Sequence, residues 1–434
     1  MSEPLLTPRV RIPELITDEA SFLIALNQLL KGSGPIAVDA ERASGYRYSQ
    51  RAYLIQIYRR GGGLHLIDPI SVSDPALWNR MDIALKECEW IIHASTQDLP
   101  CLRELGIFPE ILFDTELGGR IAGCERVGLG PLCESLLDIQ LAKEHSAVDW
   151  STRPLHPDWL NYAALDVDVL IDLRDQVENL LKEQGKLEWA KQDFVQILKN
   201  SPPPPRLEPW RRTSGMHKVR DRMTLAIVRA LWSARDQFAR EVDIAPGRIF
   251  NDEALLEIAS KRPATIDEFI KIIKRRSRVT SAPTTMWFVL LQETLQLSES
   301  ELPALRGPSV GLPPVKLWKE RNYLAHSRLS HARSVVIERA EQLNMPVENL
   351  ISPEAIRQLV WKNPPESGLD RYIEDELAHN GARPWQIEQI APLLIDPMLA
   401  TEPLILEPLI LEPLIPEPLI PEVPIESEES APQD

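Results

Sequence analysis

The chain reads as an α/β domain built on a mixed sheet, then two small all-α units, then an acidic, proline-rich tail. Three observations carry this reading. Between about Pro35 and Asp114, apolar runs of strand length alternate with helix-like runs. From about Met216 to Leu394, apolar residues recur at helical spacing in two blocks. After residue 400, proline returns every few positions.

The elements follow in order. PIAVDAERA, AYLIQIYRR and LHLIDPI are rich in branched and aromatic residues and lie close together, which predicts an antiparallel meander. ALWNRMDIALKE reads as a helix and WIIHAS as a further strand; from Leu117 to Leu198 the pattern is mostly helical. These elements, from about Pro35 to Leu198, therefore belong to one first domain. SPPPPRLEPWRR breaks the pattern, because four consecutive prolines cannot sit inside a helix and favour a stiff spacer. It makes 201–213 a linker. The first helical unit, 214–297, contains LAIVRALWSARDQFAREV, the turn IAPGRIF and NDEALLEIASK, with Asn251 or Asp252 as cap. RPATIDEFIKIIKRR follows, with Thr265 and Glu268 spaced as a capping box. The second unit, 312–396, repeats that order with LSHARSVVIERAEQLN, SPEAIRQLVWKN and RPWQIEQIAPLL, so the two read as a diverged internal repeat. Residues 400–434 carry EPLIL-type repeats with period five, and their prolines exclude helix and sheet. A disordered, extended segment is expected, either a solvated appendage or a docking segment for a protein partner.

Charge is uneven along the 434 residues. The net charge is −16, but nine acids and no Lys or Arg lie between 401 and 434, leaving −7 for the rest. This excludes one uniformly basic nucleic-acid surface. Residues 206–296 run the other way, with 17 Lys or Arg against 11 acids. Arg211, Arg212, Lys218, Arg220 and Arg222 precede the first long helix, and Lys271, Lys274, Arg275, Arg276 and Arg278 cluster at one helix end. Such clusters either neutralise phosphates or form a solvated basic face. Cys88, Cys101, Cys124 and Cys133 have neither zinc nor disulfide spacing and read as reduced, structural thiols. The first 20 residues show no signal pattern, and no apolar run reaches the roughly 20 residues of a membrane span. A cytoplasmic protein without membrane contact is expected.

Four acids and a tyrosine carry the chemistry. Asp39 and Glu41 stand at i and i+2 on an apolar strand, so both carboxylates face one side. They are either solvated strand-end acids or ligands for a cation. Asp98 follows WIIHAS; alone, it reads best as the acid of a capping box opened by Ser95. His93 in that strand reads as a packed, hydrogen-bonded residue. TRPLHPDWLNYAALDVDVLIDL reads as one helix from Pro157, with Trp159, Tyr162, Asp166, Val169, Leu170 and Leu173 on one face. Asp166 is the one acid in that stripe; Asp168, Asp172 and Asp175 fall off it and read as solvated.

The three segments VDAERASGYRYSQRAYLIQI, HASTQDLPCL and DWSTRPLHPDWLNYAALDVDVL resemble the Exo I, Exo II and Exo III motifs of the DEDD superfamily of 3′–5′ exonucleases. Tyr162 places the resemblance in the DEDDy branch, and WSTRPL ahead of YAALD is similar to the ribonuclease D family. The likeness covers roughly residues 12–200 and implies a ribonuclease H-like exonuclease fold. The two helical units resemble HRDC domains, small nucleic-acid-binding modules. The resemblance implies two Mg²⁺ or Mn²⁺ ions held by Asp39, Glu41, Asp98 and Asp166, with Tyr162 orienting the attacking water. It implies RNA with a free 3′ end as substrate, tRNA precursors or other structured RNA, cut to nucleoside 5′-monophosphates by a monomer. Tyr46 and Gln56, beside Tyr53 and Leu54, are expected at the terminal nucleotides or in the strand core; Arg211, Arg212, Lys218, Lys274, Arg275 and Arg276 are expected on RNA. Arg42 departs from the pattern, since many relatives have an apolar or aromatic residue after the Exo I glutamate. The alternatives are an RNA-binding scaffold with little or no activity and a DNA 3′–5′ exonuclease.

Overall fold

The computed structural model describes residues 3–141, 148–201, 204–275, 282–307 and 311–404; Arg276, Arg278 and the tail from 405 onward lie outside the described residues. The strands of the first domain are β1 (Glu3–Leu5), β2 (Leu15–Ile16), β3 (Ile36–Arg42), β4 (Ala52–Arg59), β5 (Gly63–Ile67), β6 (Glu89–Ile92), β7 (Ile111–Asp114) and β8 (Ile139–Leu141). Six of them form one mixed sheet in the order β2-β5-β4-β3-β6-β7, while β1 pairs with β8 apart from it. The meander β3-β4-β5 is antiparallel as its sequence predicts. β6 and β7 continue the sheet in parallel, and β2 runs parallel to β5 at the other edge.

The helices of this domain are α1 (Glu19–Lys31), α2 (Pro75–Leu85), α3 (Leu99–Leu105), α4 (Thr115–Ile121), α5 (Leu129–Leu137), α6 (Pro157–Asp168), α7 (Leu170–Glu183) and α8 (Leu187–Lys199). Asp18, Asp74 and Asp114 cap α1, α2 and α4 by accepting backbone N–H bonds that the first turn would leave unpaired. The single helix expected from Pro157 is instead two, α6 and α7, meeting at Val169. Beside the break, the chain meets the N-terminal segment. Asp168 accepts from the Arg9 backbone N–H at 3.0 Å and from its guanidinium at 2.9 Å, and is 1% exposed. Asp168 is thus buried rather than solvated, and Asp172 and Asp175 are half-buried in ion pairs with Arg9 and Arg60.

The first helical unit comprises α9 (Arg222–Val242), α10 (Pro246–Ile249), α11 (Asp252–Lys261), α12 (Ile266–Lys274) and α13 (Thr284–Thr294). The second comprises α14 (Trp318–Arg321), α15 (Tyr323–Gln342), α16 (Val347–Leu350), α17 (Pro353–Trp361), α18 (Leu369–His379), α19 (Pro384–Ile390) and α20 (Ile395–Leu399). The repeat read from sequence is visible in the long helix, the one-turn helix and the helix pair that follows. It extends to the elbow: α9 ends at Asp243 and α15 runs out at Asn344, both left-handed, with φ of 50° and 46°.

Both elbows dock on the exonuclease domain. At the first, the Ser49 N–H donates to Asp243 at 2.8 Å, the Ala245 N–H to Tyr46 O at 3.0 Å, and Arg248 to Gly45 O at 2.7 Å. At the second, the buried Lys186 ammonium donates to Ile121 O at 2.9 Å and across the boundary to Leu343 O at 2.6 Å. Beside it, Trp189 stacks on Trp385 with centroids 4.8 Å apart, and the Trp385 indole donates to Asp193 at 2.8 Å. The second unit shares one continuous apolar core with the exonuclease domain, whereas the first has its own around Phe250, Phe269 and Trp287. All four cysteines are free thiols. No helix among the described residues is long and apolar enough to cross a membrane.

Gly123 lies under the second elbow with φ +78°, and an added Cβ would sit 2.1 Å from Asn344 O. Gly123→Ala should destabilise the protein by at least about 2 kcal/mol, from left-handed strain plus a clash with backbone. Chemical denaturation of both proteins checks this; an unchanged midpoint would show that the elbow yields.

Candidate active site

The sheet register builds half of the site. In β3, Asp39 pairs with Gln56 and Glu41 with Leu54, so both acids leave the same face of the sheet. α6 crosses that face against β3 and β4, bringing Asp166 down from its inner stripe. Carboxyl oxygens of Asp39, Glu41 and Asp166 all lie within 4.8 Å of one another. Tyr162, one turn before Asp166, donates its hydroxyl to the Asp166 carboxyl.

Asp98 arrives differently. The capping box expected from Ser95 is absent, because Ser95 is turned elsewhere: its N–H and its hydroxyl both donate to Asp114, at 2.8 and 2.7 Å. Asp114 also caps α4 through Leu117 N at 3.0 Å, so one buried acid ties the loop after β6 to the end of β7. Asp98 itself makes no side-chain cap bond to α3. Its carboxyl, 5% exposed, hydrogen-bonds to Asp39 and lies 3.6 Å from the Arg42 guanidinium.

These residues line one cleft of about 420 Å³, with His93, Ala94, Gln97, Leu129, Gly130, Pro131, Leu141 and Leu170 completing its wall. The α5 residues Leu129 to Pro131 carry no chemical signal in the sequence that would have placed them there. His93 is held by Thr115 at 2.9 Å, and burial pushes its pKa down, keeping the ring neutral. Arg153, from the WSTRPL segment, anchors the approach to α6: it grips both oxygens of Asp68 at 2.8 Å and donates to Tyr53 O.

Burial dominates the electrostatics. It raises the pKa of Asp39 and pushes Glu41, Asp98 and Asp166 well above the usual carboxylate range; repulsion from neighbouring carboxylates adds to it for the last three. Four carboxyls face one guanidinium, so the cleft lacks positive charge. An all-oxygen donor set of this kind suits hard divalent cations, and the residues present fit them. Burial also raises the Tyr162 pKa, with Asp166 and Glu41 adding to the rise, so its hydroxyl stays a donor.

The remaining sequence-predicted contacts are dispersed. Tyr46 lies under the Arg248 guanidinium, 3.8 Å from its ring centroid, at the contact with the first helical unit. Gln56 is fully buried and its amide makes no hydrogen bond among the described residues. Arg211 is held by Glu208 at 2.7 Å and Ala304 O at 2.8 Å, and Arg275 pairs with Glu257 at 2.8 Å. Arg212, Lys218 and Lys274 are exposed.

Comparison with known proteins agrees with this geometry. Residues 13–182 match the family model described as "3'-5' exonuclease", residues 224–282 the HRDC domain, and residues 311–398 the "3' to 5' exonuclease C-terminal domain". A ribonuclease D from Sphingobium indicum is 32% identical over 273 residues, 61% of this chain and 68% of the relative. Ribonuclease D of Escherichia coli is 26% identical over 83% of this chain and 93% of its own. A crystal structure of a protein from Bifidobacterium adolescentis is 36% identical, covers 92% of this chain and 100% of its own, and superposes with a TM-score of 0.80. With the DEDD acids and the tyrosine gathered in one cleft of a domain followed by two helical units, the chain belongs to the ribonuclease D family of 3′–5′ exoribonucleases.

Proposed function

We propose that Asp39, Glu41, Asp98 and Asp166 hold two divalent ions, Mg²⁺ or Mn²⁺, for hydrolysis of RNA from its 3′ end to nucleoside 5′-monophosphates. The convergence of three carboxyl oxygens within 4.8 Å carries this reading. Asp98, joined to Asp39, supplies the fourth ligand. When bound, such ions lower the pKa of an attacking water and neutralise the charge that develops on the scissile phosphate.

The chain's own groups do the rest. Tyr162, a donor anchored on Asp166, orients the water; with its pKa raised it does not act as the base. The apolar wall of Leu129, Pro131, Leu141 and Leu170 gives the terminal nucleoside a dry surface beside the acids. Arg212 of the linker and Lys218 and Lys274 of the first helical unit, all exposed, are cations for phosphates upstream of the cut. Arg275 joins them from its ion pair. Tyr46 supports the site from behind, by fixing the Exo I loop, rather than by stacking on a base. Structured RNA is the substrate class, with tRNA precursors among its members; the crystallised ribonuclease D of Escherichia coli is itself an exoribonuclease involved in structured RNA processing. The reading includes a cytoplasmic monomer.

Three outcomes test it. Asp39→Ala, or EDTA on the wild type, should lower trimming of a 3′-labelled RNA at least about a thousandfold; trimming that survives either removes the metal site, and a preference for DNA removes the RNA assignment. Tyr162→Phe should lower kcat about a hundredfold with KM little changed; an unchanged kcat denies the hydroxyl its role. The third is a stability profile. In metal-free protein the site carboxyls hold protons to higher pH than in the unfolded chain. Their stabilising contribution is therefore complete at low pH and is lost as pH rises through the raised values. Asp166→Asn cannot ionise, so its melting temperature relative to wild type should climb between about pH 4 and pH 8, and Mg²⁺ should erase the difference. A pH-independent gap in thermal melts would contradict the buried-carboxyl account.

A further inference from the structure

The acids of the site are not equivalent. Asp39, Glu41 and Asp166 form the tight group, while Asp98 stands beside it, engaged with Arg42. Arg42 is the one Lys or Arg among the described residues that line the cleft. Its position has a backbone cause. Up to Glu41 the β3–β4 pairing is regular, but then it slips: Glu41 opposes Leu54 and Arg42 opposes Ala52, leaving Tyr53 unpaired. In a regular strand, neighbours point to opposite faces; an irregularity of this kind re-aims a side chain. Here it accompanies an arginine turned to the same cleft as the glutamate before it. The side chains of Arg42 and Asp98 are 23% and 7% exposed, so the pair is screened from water.

We propose that Arg42 is an internal counterion that occupies the Asp98 side of the site and makes cation loading there depend on the arrival of a substrate phosphate. The inference rests on the metal-site reading above. A guanidinium and a divalent cation repel one another and compete for the same carboxylate. Loading at Asp98 therefore has to displace Arg42. A guanidinium matches a phosphate as well as it matches a carboxylate, through paired N–H donors. A phosphate entering beside the acids gives the displaced Arg42 its new partner. Phosphate and cation then tighten each other's binding, and by linkage the coupling is reciprocal. Arg42 acts here as a positioning residue, setting when the Asp98 side fills. The cleft stays charge-balanced in part when empty and loads fully only with RNA present.

The test is calorimetric titration of the EDTA-stripped full chain with Mn²⁺, with and without 5′-AMP as phosphate probe. Wild type should show one tighter and one weaker class of site, and 5′-AMP should strengthen the weaker one about tenfold. In Arg42→Gln the weaker class should already be about tenfold tighter without 5′-AMP, and 5′-AMP should add little. Arg42→Lys, which keeps the charge and loses the paired donors, should keep the weak class but lose most of the 5′-AMP effect. Circular dichroism of each variant confirms that the fold is retained. If the wild-type and Arg42→Gln isotherms superpose under both conditions, the inference about Arg42 is overturned while the metal site stands. If folded wild type takes up no Mn²⁺ with or without 5′-AMP, the metal-site reading falls, and this one with it.

Discussion

Everything in the first domain answers to one unfavourable arrangement: four carboxyls brought together out of bulk water. Like charges at this spacing repel, and burial penalises each ionised form further. The arrangement is tolerable because protons and one guanidinium offset the negative charge: Tyr162 donates to Asp166, Asp98 and Asp39 share a hydrogen bond, and Arg42 faces Asp98. Holding the acids in place falls to rigid elements rather than loops. β3 carries two acids on one face, α6 carries the third, and the Asp114 tie bends the segment that carries the fourth. Carboxyls that repel one another need such supports, because looser ones would let them drift apart.

The helical units extend this support. The segment from Ala43 to Arg51 leaves β3 and runs directly into the first unit, where Gly45, Tyr46, Tyr48, Ser49 and Arg51 all find partners. The polypeptide next to Glu41 and Arg42 is thus braced by a different domain. The second unit is joined by shared apolar core and by the buried Lys186, whose partners are carbonyl oxygens. An ammonium so placed is held by geometry that no exposed lysine could supply, which explains why burial lowers its pKa without expelling it.

Legibility followed the range of the interactions. Asp39 and Glu41 were readable because strand alternation is local, and Asp166 because a lone acid in an apolar helical stripe is local too. Asp98 was not, since a neighbouring serine offered it a plausible capping role; the deciding partner, Asp114, lies 19 residues from Ser95. The burial of Asp168 is hidden from sequence for the same reason, as Arg9 reaches it across 159 residues. β7 and β8, with four and three residues, are too short for alternation to register. Tyr46 and Gln56 had the right chemistry for nucleotide contact, but whether a strand-end aromatic meets solvent or another domain depends on packing that composition does not encode. The repeat was visible as helical order; that both copies use their elbow for docking was not.

That shared elbow has a kinetic side. Each unit is tethered to the body it docks on, so docking is intramolecular, and a short tether sets an effective concentration of roughly millimolar. Contacts too weak to hold two separate proteins together suffice under that condition. The two elbows then differ in what releases them. The Asp243 elbow is made of half-exposed polar and charged groups, which salt screens. The Asn344 elbow is sealed by stacked tryptophans and a buried ammonium, which salt hardly reaches. The same corner in two copies thus forms one joint sealed from solvent and one open to it, and the open one belongs to the unit where Lys and Arg outnumber acids.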